Sequence, residues 1–169
     1  MGDSWREALS VTEGLIKGYH KLQGRIIFQG FPISIENLKG SVRRGVDRNG
    51  EPWETKLKND YGYFRSTLGV DGDEVDVFIG PNKYAKKVYI VRAQAQDRKN
   101  SWKYDEDKVM LGFSSKSEAR KAFLNNYDKK EFLGPIDEYD VEVFRDKLYS
   151  KKNKGKMVKS FVQIGDVFK

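Results

Sequence analysis

Hydrophobic positions change their spacing twice along this chain. Over residues 3–19, Trp5, Ala8, Leu9, Leu15, Ile16 and Tyr19 recur near the helical period, with Asp3 or Ser4 placed as N-cap, so an amphipathic helix is predicted. From Arg25 to about Gly112 short apolar runs alternate with turn residues. The runs are 26–28, 33–35, 41–46, 53–57, 61–67, 75–79, 88–91 and 109–111, with turn signals such as Gly30 and Asp47-Arg48-Asn49-Gly50 between them. Many short strands without interleaved helices predict a small barrel or sandwich rather than a doubly wound sheet. The last third turns helical. Ser115 and Glu118 form a capping box that opens a helix through Ala119, Ala122 and Phe123 to about Asn126 or Tyr127. Gly134 and Pro135 break the chain, and Asp140 starts a second helix that uses Val141, Phe144 and Leu148.

Composition narrows the chemistry. The 169 residues suffice for one domain with a sizeable core, and 13% aromatics are too many for a disordered chain. No apolar run is long enough to span a bilayer, and no secretory leader is seen, so neither a membrane nor a secreted setting is expected. With no cysteine and one histidine, His20, thiolate and His-rich metal sites are excluded. Any bound metal would take oxygen ligands. Lys+Arg of 32 against Asp+Glu of 25 gives a net charge of +7, which favours an anionic partner.

The most informative stretch is Asp71-Gly72-Asp73-Glu74-Val75-Asp76, at the mouth of the apolar run 75–79. Alternation puts Asp71 and Asp73 on one side, and a bend at Gly72 lets Asp76 join them. Carboxylates gathered so closely repel one another unless a hard cation lies between them. A calcium loop of the EF-hand type would need an oxygen ligand at Val75 and a glycine at Asp76, and so fails. A haloacid-dehalogenase motif matches the letters from Asp71 to Val75, but the expected apolar strand and alternating helices are missing. An ordinary polar turn is the remaining alternative for these residues taken alone.

Residues 71–77 satisfy every position of the aspartate signature of the soluble, magnesium-dependent inorganic pyrophosphatases, and the chain resembles that family. Tyr61, Gly62, Tyr63, Thr67 and Leu68 match the lead-in that precedes the signature at the same spacing. The resemblance runs at lower quality over about residues 33–127. It implies an α+β fold built on a small five-stranded barrel of the OB type with flanking helices. It also implies a Mg2+ cofactor, for which Mn2+ would substitute. Implied metal ligands are Asp71, Asp73, Asp76, Glu36 and, among Asp97, Asp105 and Asp107, one or more that the spacing leaves open. Lys108 resembles the family's phosphate-contacting lysine, and Tyr127 a phosphate-contacting tyrosine. The lysine that should follow Tyr127 is replaced by Asp128, leaving Lys129 or Lys130. Arg43 (or Arg44) and Arg48 resemble upstream phosphate-binding residues, with Lys56 a further basic residue nearby. A glutamate of the family falls on Gly45.

The expected reaction is hydrolysis of inorganic pyrophosphate, or a related phosphoanhydride, by a metal-activated water. Asp73 would take the water's proton, Tyr61 and Lys108 would act at the reacting phosphate, and Arg43, Arg48, Lys56, Tyr127 and Lys129 would bind substrate oxygens. Residues 1–22 are expected as a helical extension, 23–149 as the catalytic domain and 150–169 as a basic tail. The overall likeness is to divergent domains carried by bacteriophages and prophages, which implies action in a bacterial host cytoplasm. A homo-oligomer is expected, with the N-terminal helix available to a protein partner. Two other classes stay open: an OB-type nucleic-acid-binding module, suggested by the charge and the basic tail, and an inactive interaction protein that keeps the fold. The aspartates argue against the first and have no evident purpose in the second.

Overall fold

A computed structural model of the protein describes residues 22–67 and 73–149. The expected N-terminal helix, the basic tail and Asp71 lie outside the described residues. The strand-rich middle forms β1 (Gly24–Phe28), β2 (Phe31–Asn37), β3 (Val42–Val46), β4 (Pro52–Lys56), β5 (Asp60–Phe64), β6 (Asp76–Ile79), β7 (Lys87–Gln96) and β8 (Trp102–Leu111). Helix α1 (Lys116–Asn125), a 3-10 turn (Lys130–Phe132), β9 (Ile136–Asp140) and α2 (Val141–Leu148) follow.

Seven strands join in the order β1-β2-β5-β6-β8-β7-β9, while β3 and β4 pair apart as a ribbon. All neighbours in the large sheet are antiparallel except β6 and β8, which run parallel. The sheet is mixed and its outer strands do not pair, so the expected closed five-stranded barrel is not shown. Helix α2 supplies the reason. It follows β9 directly and lays Phe144 and Leu148 into the core beside Phe31 of β2. Its Arg145 guanidinium reaches the β1–β2 turn, donating to the Gln29 carbonyl at 2.7 Å and lying 4.1 Å from the Phe31 ring centroid. The helix thereby covers one face of the open sheet.

Alternation along the strands builds one core on each face. Ile33, Ile35, Phe64, Val77, Val88, Ile90, Val109 and Leu111 face α2. Tyr61, Phe78, Tyr89, Val91, Ala93 and Met110 face α1, which contributes Ala119 and Phe123. Each fully buried ring or branched side chain contributes about 1.5–3 kcal/mol of transfer free energy, which is what holds the strand register.

Both helices predicted for the last third of the chain form. Ser115 Oγ accepts from the Glu118 amide at 3.1 Å, and Glu118 Oε2 accepts from the Ser114 amide at 3.0 Å, so the glutamate reaches one residue beyond the cap. Asp140 is the N-cap of α2 but makes no cap hydrogen bond with its side chain, which pairs instead with Lys87 at 2.7 Å. Strands β7 and β8 extend well past the predicted 88–91 and 109–111 because their polar outer halves pair with each other rather than with the core. The tip of this hairpin is held by Asp97, whose Oδ1 accepts from the amides of Lys99 at 2.8 Å and Ser101 at 2.9 Å. Asp47 does the same for the β3–β4 ribbon, accepting from Asn49 at 2.8 Å and Glu51 at 2.9 Å.

Candidate active site

The parallel pairing of β6 with β8 sets Asp76 opposite Lys108. Lys108 is buried on the α1 face, and its Nζ donates to Asp76 Oδ2 at 2.6 Å and to Tyr61 Oη at 2.7 Å. Tyr61, from the adjacent β5, donates its own hydroxyl to the same Asp76 oxygen at 2.7 Å, closing a triangle. Glu106, two residues before Lys108, forms a second ion pair with it at 2.6 Å. Burial alone would push the Lys108 pKa down. Tyr61, Asp76, Tyr127 and Glu106 outweigh that and hold it well above the usual lysine range. Burial likewise drives the Tyr61 phenol well above its ordinary value, against the opposing pull of Lys108. At neutral pH the lysine is therefore charged and the tyrosine remains a donor.

Two β-bulges flank this triangle. In β2 the ladder steps from Ile35 opposite Gly62 to Asn37 opposite Tyr61, leaving Glu36 as the extra residue. In β8 it steps from Glu106 opposite Ala93 to Tyr104 opposite Gln94, leaving Asp105 as the extra residue. Bulges re-aim side chains and are common beside active sites. The Glu36 carboxyl is raised to about 7, first by burial and then by the like charge of Asp76, against the attraction of Arg43 and Lys108.

That shift has a sign. A carboxyl whose folded pKa lies above its unfolded value gives stability that is full below about pH 4.5 and is lost as the pH rises through about 7. A shift of this size corresponds to about 3 kcal/mol, and solvent screening of this half-buried group reduces it to about 1–2 kcal/mol. Glu36→Gln is therefore expected to match the parent in urea unfolding at pH 5 and to exceed it by about 1–2 kcal/mol at pH 8.

Above the triangle opens a cavity of about 390 Å³ between the β3–β4 ribbon, the β7–β8 hairpin and the segment after α1. Arg43 enters it from β3, its guanidinium carbon 4.7 Å from the centroid of the Tyr61 ring and 5.9 Å from that of Trp53. Burial by itself would lower the Arg43 pKa, but Tyr61, Tyr127, Asp76 and Glu36 together outweigh it and raise it. Arg44 points to the other face of the ribbon and pairs with Glu54 at 3.0 Å, which leaves Arg43 as the one of the two that lines the cavity. Tyr127 stacks on Phe123 at 4.3 Å, and burial raises its phenol pKa while Lys108 and Arg43 pull it back.

The segment that carries the aspartates is anchored by Thr67. Its hydroxyl donates to the Phe64 carbonyl at 2.7 Å and accepts from the Val75 amide at 3.0 Å, pinning the start and end of the loop together. Asp73 is exposed on this loop.

The family model described as Inorganic Pyrophosphatase matches residues 13–149, which is most of the chain. The chain belongs to the inorganic pyrophosphatase family. No curated protein matches it.

In this family member the structure brings together Asp76, Tyr61, Lys108, Arg43, Arg48, Tyr127, Lys129 and Asp105, either in the triangle or along the cavity wall. Others lie elsewhere. Lys56 is exposed opposite Val42, on the ribbon face turned away from Arg43. Asp107 accepts from the Tyr104 hydroxyl at 3.1 Å, and Asp97 is a turn residue paired with Lys103 at 3.1 Å. Among the described residues, no group of three or more acidic or histidine side chains stands close enough to hold a metal ion. Glu106 is the site residue that sequence reading missed. The two-residue alternation back from Lys108 points to it, but the search for an aspartate drew attention to Asp105 and Asp107 instead. Among the described residues, no helix is long and apolar enough to cross a membrane.

Proposed function

We propose that this chain hydrolyses inorganic pyrophosphate to two phosphates with magnesium bound, as a divergent member of its family of the kind carried by phages and acting in a bacterial cytoplasm. The observation that carries the reading is the buried Lys108–Tyr61–Asp76 triangle, set between Arg43 and the aspartate loop. The phage assignment rests on sequence departures such as Gly45 and Asp128.

The family generally uses Mg2+, and the donor chemistry here suits it. Glu36, Asp73 and Asp76 offer hard oxygens, and a Glu36 carboxyl raised to about 7 partly by its Asp76 neighbour is one whose charge a cation would relieve. Asp73 and Asp76, with Asp71 from the same signature and Glu36 from β2, would hold the ion by drawing together, since the described carboxylates do not by themselves stand as a group of three within reach of one cation. Bound there, magnesium would neutralise phosphate oxygens and acidify a water.

The chain's own residues do the rest. Arg43 and Lys108, with Arg48 and Lys129 nearer the rim, hold the substrate oxygens by charge-assisted hydrogen bonds. Tyr61 donates to the oxygen on which charge develops, and Tyr127 closes the apolar side. Asp73, exposed on the aspartate loop, accepts the proton of the attacking water. The water oxygen bonds to one phosphorus, the bridging P–O bond breaks, and its electron pair leaves with the second phosphate.

Asp73→Ala is expected to lower magnesium-dependent phosphate release from pyrophosphate by about 100-fold or more, a typical loss for a general base. The same assay without magnesium should show no turnover. One observation favours a second reading, of binding without turnover: Asp76 Oδ2 already accepts from both Lys108 and Tyr61. Magnesium that raises the melting temperature of a protein with no turnover would favour that second reading.

A further inference from the structure

The cavity is larger, longer and more aromatic than a bare diphosphate requires. A diphosphate has the bulk of roughly five waters, about 150 Å³ at ~30 Å³ per water. The space above Lys108 is about 390 Å³, within the range of cavities that enclose organic ligands of drug size. It is also elongated. Lys108 and Trp102 both line it from β8, six residues apart, which spans roughly 20 Å of extended strand.

Chemistry changes along that length. At the Lys108 end are Arg43, Lys108 and the triangle with Asp76. Toward the hairpin tips the walls become Trp53 from β4 and Trp102 from β8, with Phe132 from the 3-10 turn. Trp102 is fixed edge-on against Phe132 at 4.9 Å. Trp53 is fixed by the residue opposite it in the ribbon, Gly45. A Cβ at Gly45 would stand 2.4 Å from the indole, so only glycine lets that ring lie across the strand. Arg48 borders the cavity at the ribbon tip and, with Arg98 of the other hairpin, lines a second hollow beside it.

Resting on the hydrolytic reading of the same site, we propose that the preferred substrate is a nucleoside polyphosphate, its anhydride at Lys108 and Arg43 and its base on the indole of Trp53, with Trp102 as the further wall. Water attacks one phosphorus, forming a P–O bond. The bridging P–O bond breaks with its electron pair on the departing phosphate, and one proton passes to solvent. Stacking on an indole suits any base, because every base has a π-face. A nucleic-acid strand fits less well, since Asp105, Glu106 and Asp128 also border the cavity and would repel a continuous phosphate backbone.

The test uses the full chain and two probes that resist hydrolysis, imidodiphosphate and a nucleoside imidotriphosphate. Each is titrated by calorimetry and by tryptophan fluorescence, with and without magnesium. The nucleotide probe is expected to bind at least tenfold more tightly than imidodiphosphate and to quench the indole emission. Trp53→Ala and Trp102→Ala are each expected to cut that preference by about tenfold. Equal affinity for the two probes in the parent chain overturns the proposal whatever the variants do. A preference unchanged in both folded variants overturns it too, as does tighter binding of a single-stranded oligonucleotide than of the mononucleotide. Turnover of pyrophosphate without nucleotide preference removes this inference and leaves the hydrolytic reading standing. Nucleotide preference with no turnover of any compound does the reverse.

Discussion

Lys108→Met is expected to destabilise the chain by about 3 kcal/mol and to lower phosphate release from pyrophosphate by at least about 100-fold. Methionine fills most of the volume, so packing against Tyr61 and Met110 changes little. What is lost is charge. Asp76 and Glu106, each within 2.6 Å of the ammonium, would be left facing one another across a pocket of low polarity. Breaking a buried ion pair from one side costs about 3–5 kcal/mol, and the lower end applies because the two carboxylates keep side-chain exposures of 20% and 22%. Urea unfolding of the variant checks the first figure. Adding Asp76→Asn should restore part of the stability, because it removes one of the stranded charges, and should restore none of the activity. A double variant as unstable as the sum of the singles would show that the pair does not interact as described.

Gly62→Ala is expected to leave little folded protein at 37 °C. A Cβ at Gly62 would sit 1.9 Å from the Ser34 carbonyl oxygen, 2.9 Å from its carbon and 3.0 Å from the Ile35 Cα. All three are backbone atoms of the paired strand, so no rotamer change relieves the overlap. Only separation of β5 from β2 does, and that opens the core at Ile33, Ile35 and Phe64. The cost exceeds the about 1–3 kcal/mol of ordinary overpacking and falls in the range above about 4 kcal/mol, against a typical total stability of about 5–15 kcal/mol. Circular dichroism melts and the soluble fraction on expression measure it directly. A variant that melts within a few degrees of the parent would mean that the two strands can move apart freely there.

Gly62 and Lys108 were both visible in the sequence, yet for different reasons. The Tyr61-Gly62-Tyr63 lead-in and the signature ending at Val77 are contiguous patterns, and their link to the inorganic pyrophosphatases carried through to the family. Local physics was equally legible. A cap needs partners only three or four residues away, as at Ser115 and Glu118, and a turn such as Asp47 to Gly50 closes on itself. These features depend on neighbours along the chain, so reading along the chain finds them.

Whatever depended on register did not appear until the chain was folded. Asp76 meets Lys108 across 32 residues, through a parallel pairing that the burial of Val77, Ile79, Val109 and Leu111 fixes. Two-residue alternation puts Glu106 on the face of Lys108, and the bulge at Asp105 lets its carboxylate line the cavity as well. Lys56 looks as useful as Arg43 in a string of letters, but strand alternation turns it outward. Strand β9 escaped notice because Ile136–Asp140 is short and half polar, and it becomes a strand only by pairing with the edge of β7. The sequence by itself determined the family, the helix caps, the turns and the residue types of the chemistry, all set by interactions a few residues long. The tertiary structure decided which charges meet, which wall of the cavity is aromatic and that the sheet stays open with α2 on one face, because those follow from long-range packing of two hydrophobic faces.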